Sequence, residues 1–147
     1  MTPTHDIERS RAEAFAAIPL AAVCCDRDFR SEEAEVIRTQ LLSRSPFRSM
    51  DPYAFGVLFS DLLRRYREND WQVLVAQAVP LLSLQQRRTA YALACQLIHC
   101  DREVNPSERS FLEVLAEVLQ LPPAFSQQVI EVCELLYQDC LAPGSAP

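Results

Sequence analysis

Two short acidic segments carry the side chains in this chain that are best suited to bind a metal ion. Each segment has two acidic residues, followed five positions later by a glutamate. Carboxylate oxygens are the hard ligands that Ca²⁺ and Mg²⁺ prefer. The sequence therefore predicts a divalent-cation site, with calcium, magnesium, manganese and zinc as candidate ions. Its predicted ligands are Asp26, Asp28, Glu33, Asp101, Glu103 and Glu108.

The two segments are copies of one pattern, 75 residues apart. The first reads Cys-Asp-Arg-Asp-Phe over residues 25–29, and the second reads Cys-Asp-Arg-Glu-Val over residues 100–104. Helical patterns precede and follow both copies, which indicates a duplicated all-α unit. If the copies pack face to face, their carboxylates converge on one site.

The loops do not follow the EF-hand scheme. That scheme needs Gly at position six and a bidentate Glu at position twelve of its loop. Counted from Asp26, those positions hold Ser31 and Ile37. The second copy has Pro and Leu there. Any cation bound by these loops is bound in another way.

A metal-free interpretation accounts for the same acids. Glu33 and Glu108 lie in the predicted first turn of a helix, where a carboxylate completes a capping box or stabilises the helix dipole. Asp26 and Asp101 follow a helix end and can order the turn through an Asx contact. The chain would then be an interaction scaffold whose acidic surface binds a basic partner.

A third interpretation involves thiols. Cys95 and His99 are four residues apart and share a helix face, and Cys25 and Cys100 flank the loops. Together they could form a metal or redox site. The alternative is that these cysteines are small buried hydrophobes. Cys133 and Cys140, two turns apart on the last predicted helix, are expected to be structural.

The apolar pattern and the cap residues predict an all-α, single-domain bundle of about seven helices. Residues 1–11 form an N-terminal extension, residues 12–141 the helical domain and residues 142–147 a disordered tail. The helices are expected near residues 7–25 (with a kink or restart at Pro19), 31–42, 52–67, 71–82, 84–100, 106–121 and 124–140.

Charge, apolar run length and the absence of known motifs argue against several classes of function. The net charge is −6, all fourteen basic residues are arginine, and no basic stripe occurs, which argues against nucleic-acid binding. No apolar run is long enough to span a membrane, and no signal-peptide core is present, so a cytoplasmic protein is expected. There is no phosphate loop, nucleophile elbow or His-Glu-x-x-His helix, so no enzyme is expected.

The duplicated pattern of helix, Asp, short loop, Glu and helix resembles the tellurite-resistance TerB-like family, across about residues 12–140. Related domains occur at the N-terminus of some membrane-anchored DnaJ-like co-chaperones. Asp26 and Asp101 match the family's Asp, and Glu33 and Glu108 match its Glu. The resemblance implies an all-α bundle, divalent-metal binding, a role in stress responses, and a protein partner, including one at a membrane complex. Membership in the family establishes no enzymatic activity.

The chain departs from the family pattern at one position in each copy. The family has Gly after the Asp, whereas Arg27 and Arg102 stand here. If that Gly takes a positive φ, an arginine must adopt a costly conformation or the turn must change shape. An Arg beside each Asp also offsets its charge. The departure therefore bears on the metal site more than on the fold.

Overall fold

The computed structural model describes residues 3–24, 31–100, 104–138 and 140–141, and over these ranges the chain is helical with no strand. No helix in these ranges is long and apolar enough to cross a membrane. Short 3₁₀ turns lie at Phe47–Ser49 and Val79–Leu81. The helices are α1 (Pro3–Cys24), α2 (Ser31–Leu42), α3 (Pro52–Glu68), α4 (Trp71–Ala78), α5 (Leu84–His99), α6 (Pro106–Val118) and α7 (Pro123–Leu136).

Helix α1 lies at the centre of the bundle. It packs most extensively against α5, and it also contacts α2, α3 and α4. Its buried positions are mainly alanines, which let neighbouring helix backbones approach closely because they carry only a methyl group. Ile18 and Leu20 are fully buried among them. A small-residue central helix is thus surrounded by helices that supply the bulky core side chains.

The core has two apolar clusters that meet at α1 and α5. One cluster joins α1 and α4 to the second half of the chain, with Tyr91, Leu112, Leu115 and Leu119 at its centre. The other joins α1 to α2 and α3, around the edge-to-face pair Phe47 and Phe55. Helix α5 contributes to both clusters. The chain is therefore one packed unit over the described ranges.

The helix boundaries follow the sequence repeat. Helices α1 and α5 end at Cys24 and His99, and helices α2 and α6 begin at Ser31 and Pro106. Each of these pairs is separated by the same 75 residues that relate the two acidic segments. The duplicated helix–segment–helix pattern thus corresponds to two structural units in the same register.

The capping signals predict helix starts well. Ser83 and Gln86 form a reciprocal capping box, and so do Asn105 and Glu108. Asp51 precedes α3 as expected, but its side chain makes no capping hydrogen bond. Helix α1 continues through Pro19 without a restart, and that turn is buried. The predicted helix over 71–82 is α4 followed by a 3₁₀ turn, in which Pro80 lies.

Helix α7 is shorter than predicted, and part of its apolar surface stays exposed. The α-helix ends at Leu136, four residues before Cys140. Ser126, Ile130 and Cys133 are buried, at spacings of four and three residues. Val132 and Leu136 also belong to the apolar pattern of this helix, but they are 53% and 68% exposed. They are exposed because α7 packs on α5 and α6 along one narrow stripe, and its apolar residues cover a wider arc.

Candidate functional site

Most of the predicted carboxylate ligands lie outside the described residues. These are Asp26, Asp28, Asp101 and Glu103, together with Cys25, Arg27 and Arg102 between or beside them. The backbone of Glu33 belongs to α2, but its side chain is outside the description. Glu108 is the predicted ligand whose surroundings are defined.

The two helices that lead into the acidic segments end on the same side of the bundle. The first halves of α1 and α5 line a common surface cavity of about 500 Å³, which includes Ala12 and Gln86. From those residues to Cys24 and His99, the helices extend about 18 Å and about 20 Å, at 1.5 Å per residue. Val23 and Leu97, in the last turns, belong to one apolar cluster. Helices α1 and α5 are thus parallel neighbours with adjacent C-terminal ends.

Glu108 is held at the N-terminus of α6. Its backbone N–H donates to Asn105 Oδ1 at 2.7 Å, and its own Oε1 accepts from the Asn105 backbone N–H at 3.2 Å. Trp71 from α4 packs on Phe111 of α6, with ring centroids 4.6 Å apart. These residues line a shallow surface cavity of about 260 Å³ next to Glu108. The carboxylate therefore has a defined structural role as a cap and lies at the edge of a small depression.

A second group of possible ligands lies inside the bundle, where α5 packs on α7. Cys95 and His99 from α5 and Cys133 from α7 place one ligand atom each within 4.8 Å of the others. All three residues are buried, with exposed fractions of 0%, 4% and 5%. Among the described residues, this is the set of histidine, cysteine and acidic side chains whose spacing could hold a metal ion.

The hydrogen bonds of His99 define its tautomer. Its Nδ1 lies 2.7 Å from the backbone carbonyl oxygen of Cys95, and 3.6 Å from the sulfur of the same residue. A carbonyl oxygen can only accept, so Nδ1 carries the proton and donates it. In neutral imidazole, Nε2 then has the free lone pair. That atom is buried and has no hydrogen-bond partner.

The two thiols of this group affect one another. Interaction with the nearby Cys133 thiol, reinforced by burial, raises the pKa of Cys95 above its ordinary value of 9.0. The same interaction lowers the pKa of Cys133.

The composition of this group differs from the thiol set suggested by the sequence. Cys95 and His99 belong to it, as their spacing on one helix face indicates. Cys100 does not, because it is exposed and its sulfur contacts the Leu97 carbonyl oxygen at 2.9 Å. Cys133 was expected to be structural, yet its sulfur completes the group. The apolar stripe of α7 indicates that Cys133 is buried. The stripe does not indicate which helix Cys133 packs against.

Comparison with protein-family models, curated proteins and solved structures found no match to this chain, so the TerB-like resemblance stays a prediction.

Proposed function

We propose that this chain is a non-enzymatic, TerB-like helical module that binds a divalent cation through the acidic segments that follow α1 and α5. The observation that carries the proposal is the parallel arrangement of those two helices, whose C-terminal ends are adjacent. Because the two acidic segments begin at neighbouring helix ends, only a short distance has to be spanned to bring their carboxylates together. The shared 75-residue register supports the same pairing.

The chemistry of the segments favours a hard cation. The proposed ligands are oxygens of Asp26 and Asp101, then Glu33 and Glu108, with Asp28 and Glu103 in support. Six carboxylates match the six to eight oxygen ligands of Ca²⁺ better than the rigid octahedron of Mg²⁺, which retains several waters. We therefore propose calcium as the first ion to test, followed by magnesium, manganese and zinc.

A metal-free scaffold is the second candidate, and one specific observation favours it. Glu108 already closes a capping box with Asn105, so its presence needs no cation. In that case the acidic surface would bind a basic protein partner, including one at a membrane complex. The tellurite and stress-response association of the family, and a cytoplasmic location, belong to the proposal in either form.

The discriminating experiment is calorimetric titration of metal-stripped protein with Ca²⁺, and then with Mg²⁺, Mn²⁺ and Zn²⁺. The test variant is Asp26→Asn with Asp101→Asn. Saturable binding of Ca²⁺ by the unmodified chain, weakened at least tenfold in this variant, is the expected result. If the unmodified chain binds none of Ca²⁺, Mg²⁺ and Mn²⁺, and any Zn²⁺ binding is the same in this variant, the acids are caps and the scaffold is the better description.

Glu108→Gln separates the two roles of one residue. Glutamine serves in a capping box, as Gln86 does in α5, so the melting temperature should stay within about 1 °C. The substitution removes a negative charge. If the Glu108 carboxylate is a Ca²⁺ ligand, the variant should bind Ca²⁺ more weakly. A variant with unchanged stability and unchanged Ca²⁺ affinity would restrict Glu108 to its capping role. Gln86→Glu is the matched control, because it adds a charge to the other capping box.

A further inference from the structure

We infer that Cys95, His99 and Cys133 form a buried zinc site that joins α5 to α7. This site is separate from the acidic segments, and it uses soft ligands where those segments offer hard ones. The first observation behind it is proximity, since the sulfurs of Cys95 and Cys133 and a ring nitrogen of His99 lie within 4.8 Å of one another in the bundle interior. Ligands of a tetrahedral zinc ion lie roughly 3.5–3.8 Å apart, given Zn–S of about 2.3 Å and Zn–N of about 2.0 Å. The proposed site requires the side chains to close that difference, with Nε2 of His99 as the ligating nitrogen.

The second observation is the unpartnered nitrogen of His99. The ring is 4% exposed, and Nε2 has no hydrogen-bond partner. An orphaned polar atom in an apolar core costs free energy unless something binds it. Metal-binding histidines characteristically donate their other ring N–H to a carbonyl or carboxylate. His99 does this through Nδ1, which donates to the Cys95 carbonyl oxygen at 2.7 Å.

The duplicated unit supplies a third argument. In the repeat register, Cys95 corresponds to Leu20, and both residues are 0% exposed. His99 corresponds to Cys24. In the first unit, Leu20 fills the buried position that Cys95 occupies in the second unit. Helix packing alone therefore does not require a thiol beside an imidazole in the second unit. The polar set is specific to the α5–α7 contact.

Charge balance favours Zn²⁺ at this place. Binding releases one proton from each thiol to solvent, and two thiolates then neutralise the ion. The resulting centre carries no net charge, so no uncompensated charge is buried in the core. Three protein ligands leave a fourth tetrahedral position for water or another small ligand.

The test uses the full chain, purified under reducing conditions without added metal. Elemental analysis should give close to one zinc per chain. After removal of zinc by a chelator, Co²⁺ should restore one equivalent, with the intense thiolate-to-cobalt charge-transfer absorption of a two-cysteine site. Both readings come from the unmodified protein, so they do not depend on whether a variant folds.

Variants assign the ligands. Cys133→Ser should abolish the charge-transfer absorption or lower the Zn²⁺ affinity at least a hundredfold. Cys140→Ser is the control, because that cysteine is exposed on the segment after α7. Added Zn²⁺ should raise the melting temperature of the metal-stripped control by several degrees and leave Cys133→Ser unchanged.

Three results would overturn the inference. They are reduced protein that takes up neither metal, a Cys133→Ser variant with the full cobalt spectrum, and a Cys95–Cys133 disulfide in place of metal. The Asp26→Asn/Asp101→Asn variant keeps the two proposals apart. It should retain the cobalt spectrum whether or not the acidic segments bind calcium.

Discussion

At the scale of single residues, Tyr66 connects two helices through its hydroxyl group. It lies on α3, and its hydroxyl donates a hydrogen bond to the backbone carbonyl of Ala17 on α1. Burial, with a smaller contribution from Cys24, raises the pKa of this phenol far above its ordinary value. The ring therefore remains a neutral donor under all physiological conditions.

Tyr66→Phe removes that donor while keeping the ring. We expect a loss of about 0.5–1.5 kcal/mol in the free energy of unfolding, the usual net value of such a bond. Urea denaturation monitored by circular dichroism measures it. Tyr53→Phe is the control, since Tyr53 is 79% exposed and should change stability by less than about 0.5 kcal/mol. Equal effects for the two variants would show that the hydroxyl contact contributes nothing.

The candidate thiol site shows what residue spacing can and cannot predict. Cys95 and His99 lie one helical turn apart, so local periodicity places them on one face. Cys133 lies 34 residues beyond His99, and only the packing of α7 on α5 brings it there. No local rule encodes that contact. The exclusion of Cys100 has a local cause, because it follows the last residue of α5 and lies at the surface.

At the scale of elements, the end of α6 has an unusual residue in a familiar turn. Gln120 has φ of 60°, the left-handed region that favours glycine. The Leu121 N–H donates to the Ala116 carbonyl oxygen at 2.9 Å, and the Gln120 N–H donates to the Glu117 carbonyl oxygen at 3.0 Å. This is the Schellman pattern, with buried Leu121 packed beneath it.

Gln120→Gly should stabilise the protein. It relieves the left-handed strain of a residue with a Cβ, and the gain exceeds the added entropy of the unfolded chain by about 0.5–1 kcal/mol. A rise in melting temperature of a few degrees is the measurable consequence. Gln120→Ala loses the same polar group without gaining freedom in φ, so it should show no rise. An increase of equal size in both variants would indicate that the amide group, and not the backbone conformation, is unfavourable.

The elements were predictable where side chains define their boundaries. The starts of α5 and α6 follow from Ser83 and Asn105, because a cap that satisfies backbone N–H groups is a local interaction. The end of α7 was not predictable in this way. Its apolar residues continue past Leu136, but the surface of the bundle that they would pack against ends there.

At the scale of the whole molecule, two buried phenols make stability depend on alkaline pH. The pKa of Tyr66 is raised by burial, and the pKa of Tyr91 is raised by burial and by Cys95. Both start from an ordinary value of 10.0. Because these pKa values are raised on folding, the associated stability is fully present below pH 10 and is lost as pH increases above it. The opposite shifts of Cys95 and Cys133 partly cancel.

The melting temperature of metal-stripped protein should therefore be nearly constant from pH 7 to about pH 9, and then fall steeply. Above pH 10, two such groups reduce the free energy of unfolding by up to about 2.7 kcal/mol per pH unit. Thermal scans at a series of pH values test this. Tyr66→Phe should have a shallower decline than Tyr53→Phe. A pH profile unaffected by the loss of Tyr66 would mean that its phenol is as accessible folded as unfolded.

The all-α architecture was predictable from sequence because it depends on composition and periodicity along the chain. The duplicated unit was also visible, and the helix boundaries reproduce its 75-residue register. The sequence did not predict that α1 and α5 lie side by side and parallel. This arrangement depends on how two similar units pack together, and the sequence of either unit alone does not specify it.

Trp71 is the chain's single tryptophan, and it packs on Phe111 in the depression beside Glu108. Its indole is half-buried, so its emission depends on how much water reaches this end of the bundle. The protein thus contains an intrinsic optical probe at the N-terminus of α6. Ligand arrival, or fraying of that helix, can be followed there in real time by fluorescence, without attaching a dye and without altering a residue.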